Sequence, residues 1–341
     1  MLLPYTELWA TYSVRVGFRN PFHGGSLWRG VLGRALRQQG CARRAEAQEE
    51  ACRGDCRQPG RCFYSLAFET PMPEPVPHRL LRGHKQAPPP LIPLLRGWRG
   101  PDAAGKALES GQSMRLGLRY FGSLSDTDEQ SLRRAMASVS EFRLGRDGGR
   151  VEFAGWESQR TGQVGIEGDS GLPYRDVPGG SERPLAASSK DAGTLELELT
   201  TPAWLERDGQ LDQELSFASL IGSVYRRLST LCALYGQYGL EDSDRYCGLA
   251  ENAKLVTITE HRLKPLEWER HSWESNVRHP MKGLVGHVRY ASPAAEHLIP
   301  FVPILRMAEI THVGKSTSFG LGQIRVTEKL GSRPPAKGPP V

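Results

Sequence analysis

The stretch His312-Val313-Gly314-Lys315-Ser316-Thr317-Ser318-Phe319-Gly320-Leu321-Gly322 follows an apolar helical pattern and precedes a short final strand pattern. Three glycines within nine residues let the backbone take positive φ and approach a ligand closely, while Lys315 and the hydroxyls of Ser316, Thr317 and Ser318 add charge and donors. The loop reads as a holder of phosphates, although the glycines also suit a tight turn. Lys315-Ser316 superficially matches a nucleotide-triphosphate loop, but that motif needs a glycine where Glu309 stands. Such a loop also runs from strand to helix, whereas here the order is helix, loop, strand. This argues against a nucleotidase and makes the loop the last connection of an α+β block.

Upstream of the loop, Ser292 to Ile310 reads as a helix, and Gly283 to Tyr290 and Lys254 to Thr259 read as strands. Phe217, Leu220, Ile221, Val224, Leu228, Leu231, Cys232 and Tyr235 keep helical spacing from Ser216 to the stop at Gly236. The alternating Leu195-Glu196-Leu197-Glu198-Leu199 opens the block as a strand, and Gln323 to Thr327 closes it. Strand, helix, two strands, helix, strand is the ferredoxin-like order.

The first half gives a similar order. Leu8 to Phe18 alternates as a strand, and Asn20 to Gly25 turns the chain. Ser26 can then cap a helix with the apolar stripe Leu27, Val31, Leu32, Ala35 and Leu36. Met114 to Phe121 is a strand, Asp126 to Phe142 a helix opened by acidic residues, and Arg150 to Trp156 a closing strand. Pro71 to Pro93 is proline-rich and expected to wander over the surface. The expected fold class is therefore α+β, with two tandem ferredoxin-like (RRM-like) domains at 1–157 and 195–330. The first carries a cysteine-rich insertion over 41–62, 158–194 is a polar linker or insertion, and 331–341 is expected to be a disordered tail.

At 341 residues the chain can bury a sizeable core, and 38 glycines with 25 prolines predict long loops. Its 44 basic and 38 acidic residues give a net charge of +6, which favours an anionic partner without requiring one. Met1 to Glu7 lacks the pattern of a secretory signal, and no segment approaches the roughly eighteen uninterrupted apolar residues of a membrane span. A cytoplasmic, soluble protein without a membrane partner is expected, and in a reducing compartment its six cysteines are not disulfides. Cys41, Cys52, Cys56 and Cys62 lie close enough to hold a tetrahedral structural zinc, although the two CxxC knuckles of a ribbon are absent. Free thiols or an iron–sulfur cluster are the alternatives.

Several segments, in order, resemble the CRISPR precursor-RNA processing endoribonucleases, the Cas-six type of the repeat-associated (RAMP) superfamily. Gly25-Ser26-Leu27-Trp28-Arg29-Gly30-Val31-Leu32-Gly33-Arg34-Ala35-Leu36-Arg37 is similar to that family's first helix, and cysteines and Cys62-Phe63-Tyr64-Ser65-Leu66-Ala67-Phe68-Glu69 follow it. Leu215-Ser216-Phe217, Arg226-Arg227-Leu228, Arg270-His271-Ser272, Gly283-Leu284-Val285-Gly286 and the glycine loop then occur in the family's order. The resemblance implies a CRISPR repeat RNA held by the cleft and the glycine loop. It implies metal-independent cleavage to a 5′-hydroxyl and a cyclic phosphate, with the product passed to other Cas proteins of an interference complex.

Such a cleavage moves one proton from the attacking 2′-hydroxyl and another onto the leaving oxygen, and it stabilises added negative charge. His23, on the turn before the first helix, is the natural proton-transfer group, with a structural role at that turn as the alternative. Arg34 and Arg37 on the same helix are candidates for charge stabilisation. Gly314, Lys315, Ser316, Thr317, Gly320 and Gly322, with Arg226 and Arg227 on the long helix, are candidate RNA contacts, a solvated face being the alternative for the two arginines. His271, His279, His287 and His312 are weaker candidates of the same kind. Catalysis needs no cofactor in this reading. A non-catalytic RNA-binding subunit of a CRISPR ribonucleoprotein is the alternative function, and a zinc-ribbon DNA-binding factor leaves the glycine loop unexplained.

Overall fold

The computed structural model describes residues 2–19, 23–40, 62–95, 107–167, 172–173, 193–207, 209–236, 250–272 and 277–330. Its first half is built on β1 (Leu2–Val16), α1 (Gly25–Gly40), α2 (Phe63–Phe68), β2 (Leu91–Leu95), β3 (Ser113–Phe121), α3 (Asp126–Ser138) and β4 (Arg150–Glu167). The strands form an antiparallel sheet in the order β2-β3-β1-β4. The second half comprises β5 (Gly193–Ala203), α4 (Phe217–Tyr235), β6 (Thr257–Ser272), β7 (Val277–Ser292), α5 (Val302–Thr311) and β8 (Ile324–Leu330), with sheet order β6-β7-β5-β8. In both sheets the first strand lies between the third and the fourth, and every pairing is antiparallel. The element order expected from the sequence is realised in the second half and, with one strand added, in the first, each as a mixed α/β layer.

Several elements differ from expectation; β1 begins at Leu2 where Leu8 was expected, and β7 at Val277 where Gly283 was expected. Leu91–Leu95, expected within a surface segment, is a buried edge strand paired with Leu116 to Tyr120. Its signal is only five residues long, follows three prolines, and contains Pro93, which an edge strand tolerates. β4 runs to Glu167, past the expected linker start at 158, because Leu2 to Trp9 supply it with ladder partners up to Gly165. Its outer positions face solvent, so its sequence there is polar. α5 begins at Val302 and not near Ser292, since Pro293 and Pro300 break the approach into two short 3₁₀ turns, while Pro303 sits in the first turn of α5 where proline is tolerated. β6 starts three residues later than expected, at Thr257, and runs through Ser272.

β1 organises the core by alternation. Leu8, Ala10, Tyr12 and Val14 face α1 and α3 together with Leu116, Leu118, Leu132 and Met136. Leu3, Tyr5 and Trp9 face the other way, into a cluster with Phe121, Leu197, Phe217, Leu228, Leu305 and Val326 of the second half. The two halves thus share one apolar interior. Arg119 reinforces the seam: its Nε and Nη2 donate to Glu7 at 3.0 and 2.6 Å, and its Nη1 donates to the Ile310 carbonyl at 2.5 Å. Arg227 Nε donates to the next carbonyl, Thr311, at 3.2 Å. Two guanidiniums therefore serve the carboxyl end of α5, where unpaired carbonyls and the helix dipole favour positive charge.

Candidate nucleic-acid interface

α1 and the glycine loop meet at one point. His23 is 3% exposed and its Nε2–H donates to the Phe319 carbonyl at 2.7 Å. The next turn depends on Gly25, where a side-chain methyl would run into that same carbonyl oxygen. Burial pushes the imidazole down to about 4, so His23 is neutral near pH 7, with its proton on Nε2.

Phe319 also gathers two arginines from different elements. The Arg29 guanidinium of α1 lies 5.6 Å from its ring centroid, and the Arg270 guanidinium of β6 lies 4.7 Å from it. β6 can reach this point because its pairing with β7 continues beyond the last β7–β5 pair, Leu284 with Ala203, out to Ser272 with Val277. The resulting two-stranded arm leans towards the first half, and its Trp268 ring stands 6.4 Å from the His23 ring. Arg29 is further held by the Phe68 ring, 4.3 Å away, and by the Phe68 carbonyl at 2.9 Å.

The loop glycines have a packing role of their own. Gly314, Gly320 and Gly322 take φ of +80, +78 and +75°, and side chains there would strike the carbonyls of Trp204, Pro93 and Val313. The loop is further tied by Lys315 N–H to Trp204 at 2.8 Å, Gly322 N–H to Pro202 at 2.9 Å and Thr201 Oγ1 to the Gly320 carbonyl at 3.0 Å. The close approach read from the sequence is thus made to protein backbone. Ser316 adopts φ of +59° at the tip and Thr317 is buried beside it. Lys315 Nζ pairs with Glu206 at 2.5 Å, which holds the Glu206 carboxyl below its usual range.

Other candidates are placed apart. Arg34 is exposed and lies over Phe142, while Arg37 on the adjacent side of α1 lies over Tyr64. Arg226 is exposed on α4, but its neighbour Arg227 turns inward to α5 and is buried, its charge burial pulling it down to about 10. His312 is buried in the loop base, with Nδ1–H donating to the Leu321 carbonyl at 3.0 Å. Cys62 caps α2, its Sγ accepting from Ser65 N–H at 3.4 Å. Cys41, Cys52 and Cys56 lie outside the described residues, and among the described residues no group of three or more metal-ligating side chains occurs. No helix among the described residues is long and apolar enough to cross a membrane.

Arg29, Phe319 and Arg270 were not singled out by their sequence as one group. Each lies in a segment that carries the family resemblance, but their meeting depends on the packing of three elements.

Residues 197–324 match the family model described as CRISPR-associated endoribonuclease Cas6, and residues 3–170 match a model described as an N-terminal domain. No curated protein sequence matches the chain. In fold it is similar to a Cas6 product complex at 14% identity and a TM-score of 0.51, over 96% of this chain and 99% of that one. It is similar to a partial Cas6-RT-Cas1–Cas2 complex at 12% identity and a TM-score of 0.51, where 98% of this chain covers 48% of the other. A third likeness is to Cas6 of Thermus thermophilus, at 13% identity and a TM-score of 0.48 over 96% and 99% of the two chains.

Proposed function

Taking residues 197–324 as a Cas6-type domain, we propose that the protein binds CRISPR repeat RNA and cuts it to release guide RNA, with other Cas proteins receiving the product. The observation that carries this reading is the His23–Phe319 contact, which joins a titratable side chain of the first half to the glycine loop of the second. In the proposed step a ribose 2′-oxygen bonds to the adjacent phosphorus as the bond to the 5′-oxygen breaks. The hydroxyl proton leaves to a base and a second proton reaches the 5′-oxygen. The products are a 2′,3′-cyclic phosphate and a 5′-hydroxyl, and no metal is required for the proton transfers.

His23 is the proposed base. With its proton on Nε2, the lone pair resides on Nδ1, and an RNA phosphate beside the ring would raise its affinity for a proton towards neutrality. A structural zinc on Cys41, Cys52, Cys56 and Cys62 belongs to the same reading. Elemental analysis of the purified protein should find about one zinc per chain, and none would remove the metal.

The test is incubation with repeat RNA in chelator, comparing an all-ribose substrate with one carrying a single 2′-deoxy nucleotide at the cut. Cutting of the first alone is expected, and cutting of both would overturn the transesterification. A non-catalytic RNA-binding subunit is the second reading, favoured by the burial of His23 and its bond to the loop. Tight binding with neither RNA cut would select it.

A further inference from the structure

Arg29 and Arg270 come from different halves of the molecule, yet both approach the ring of Phe319. Neither forms an ion pair among the described residues. Arg29 Nη1 and Arg270 Nε are both buried from water without a hydrogen-bond partner among the described residues. The two charges also act on one another: burial, and to a smaller extent Arg270, oppose the charge of Arg29. Tyr64 and, more weakly, Glu69 act on Arg29 in the opposite sense, but the Glu69 carboxylate also accepts from the Tyr64 hydroxyl at 3.0 Å. Bringing two partly buried cations together with unused donors is costly, and an anion seated between them would satisfy both the donors and the repulsion. Guanidinium groups are shaped for phosphate oxygens, which accept two donors from one fork.

We propose that Arg29 and Arg270 form a clamp for a single RNA phosphate, the one at the linkage that is cut. The assignment to that linkage follows from Phe319, whose ring holds the arginines and whose carbonyl holds His23. It rests on the reading of the chain as a repeat-RNA nuclease. The two arginines meet because the β6–β7 arm brings Arg270 and Trp268 beside the loop and the start of α1. In this role Arg29 and Arg270 replace Arg34, which lies over Phe142, as the groups facing the reacting phosphate.

The test is a thermodynamic cycle on uncut RNA. Two repeat RNAs, both 2′-deoxy at the cut, carry either the ordinary phosphate or an uncharged methylphosphonate at that linkage. The wild-type chain should bind the phosphate form at least about tenfold more tightly, in keeping with a charge-assisted hydrogen bond. Arg270→Gln and Arg29→Gln should each bind the two forms within about twofold, while Arg325→Gln, on the outer face of the second sheet, should keep the wild-type ratio. Arg29→Lys and Arg270→Lys, with thermal melting of every variant, separate loss of the clamp from loss of the fold, and should retain part of the ratio. A wild-type chain that binds both forms equally, or glutamine variants that keep the ratio, would overturn the clamp and leave the nuclease reading standing. A wild-type chain that neither binds nor cuts repeat RNA would defeat that reading and the clamp with it.

Discussion

His23 is the residue on which most depends. His23→Ala removes the proposed base together with its bond to the Phe319 carbonyl, so repeat cleavage should fall by roughly 10²-fold or more while affinity changes little. Single-turnover cleavage with a parallel binding titration checks this, and undiminished turnover would return His23 to a purely structural role. The same side chain gives a pH signature. Its pKa is lowered on folding, from near 6.5 to about 4, so the unfolded chain takes up the proton first as pH falls. The stability contributed by neutral His23 is complete above about pH 6.5 and lost towards pH 4. It amounts to about 3 kcal/mol, and His312, lowered to about 3, adds to the effect in the same direction. Urea midpoints measured between pH 7 and 4 should fall, and should fall less steeply in His23→Gln. At this scale His23 was legible because a histidine beside a helix start is visible along the chain. Arg227 was not, since adjacent residues on a helix point about 100° apart and one arginine of the pair turns to solvent while the other turns inward.

The glycine loop shows how an element can be read correctly in position and differently in purpose. Its place between the last helix and last strand was visible in the sequence, but its glycines are required by the carbonyls of Trp204, Pro93 and Val313. Those contacts are long-range and leave no periodic trace. The edge strand Leu91–Leu95 was hidden for a related reason, because five apolar residues behind three prolines resemble a surface turn. Lys315 is already paired with Glu206 at 2.5 Å, so its availability to RNA is a competition. Glu206→Gln should release it, tightening repeat binding by a few fold and making the salt dependence steeper by up to about one counterion. Lys315→Ala should lower the same slope by up to about one. Titrations across salt concentrations measure both, and unchanged slopes in the two variants would place Lys315 away from the RNA.

At the scale of the whole molecule, two sheets of like order share an interior, and the recurrence of strand, helix and strand patterns was enough to anticipate each. How they join was not legible. Trp9, Glu7 and Arg119 sit on strands whose alternation shows two faces but not which neighbour covers the second. Arg119→Ala should cost about 3–5 kcal/mol, because it leaves Glu7 buried without its cation and strips the Ile310 carbonyl of a donor. Equilibrium unfolding measures this, and a loss under 1 kcal/mol would mean that water replaces the guanidinium. Burial already opposes the Glu7 charge, and the facing Arg119, the Trp9 N–H and Arg160 together hold its carboxyl below the usual range.

The apolar interior that runs from Leu3, Tyr5 and Trp9 through to Leu305 and Val326 has a consequence for anyone dividing the gene. Neither half is a module. Expressed alone, each would present to water the surface it normally gives its neighbour and should aggregate, whereas the two pieces made together should find one another and restore a single cooperative melt.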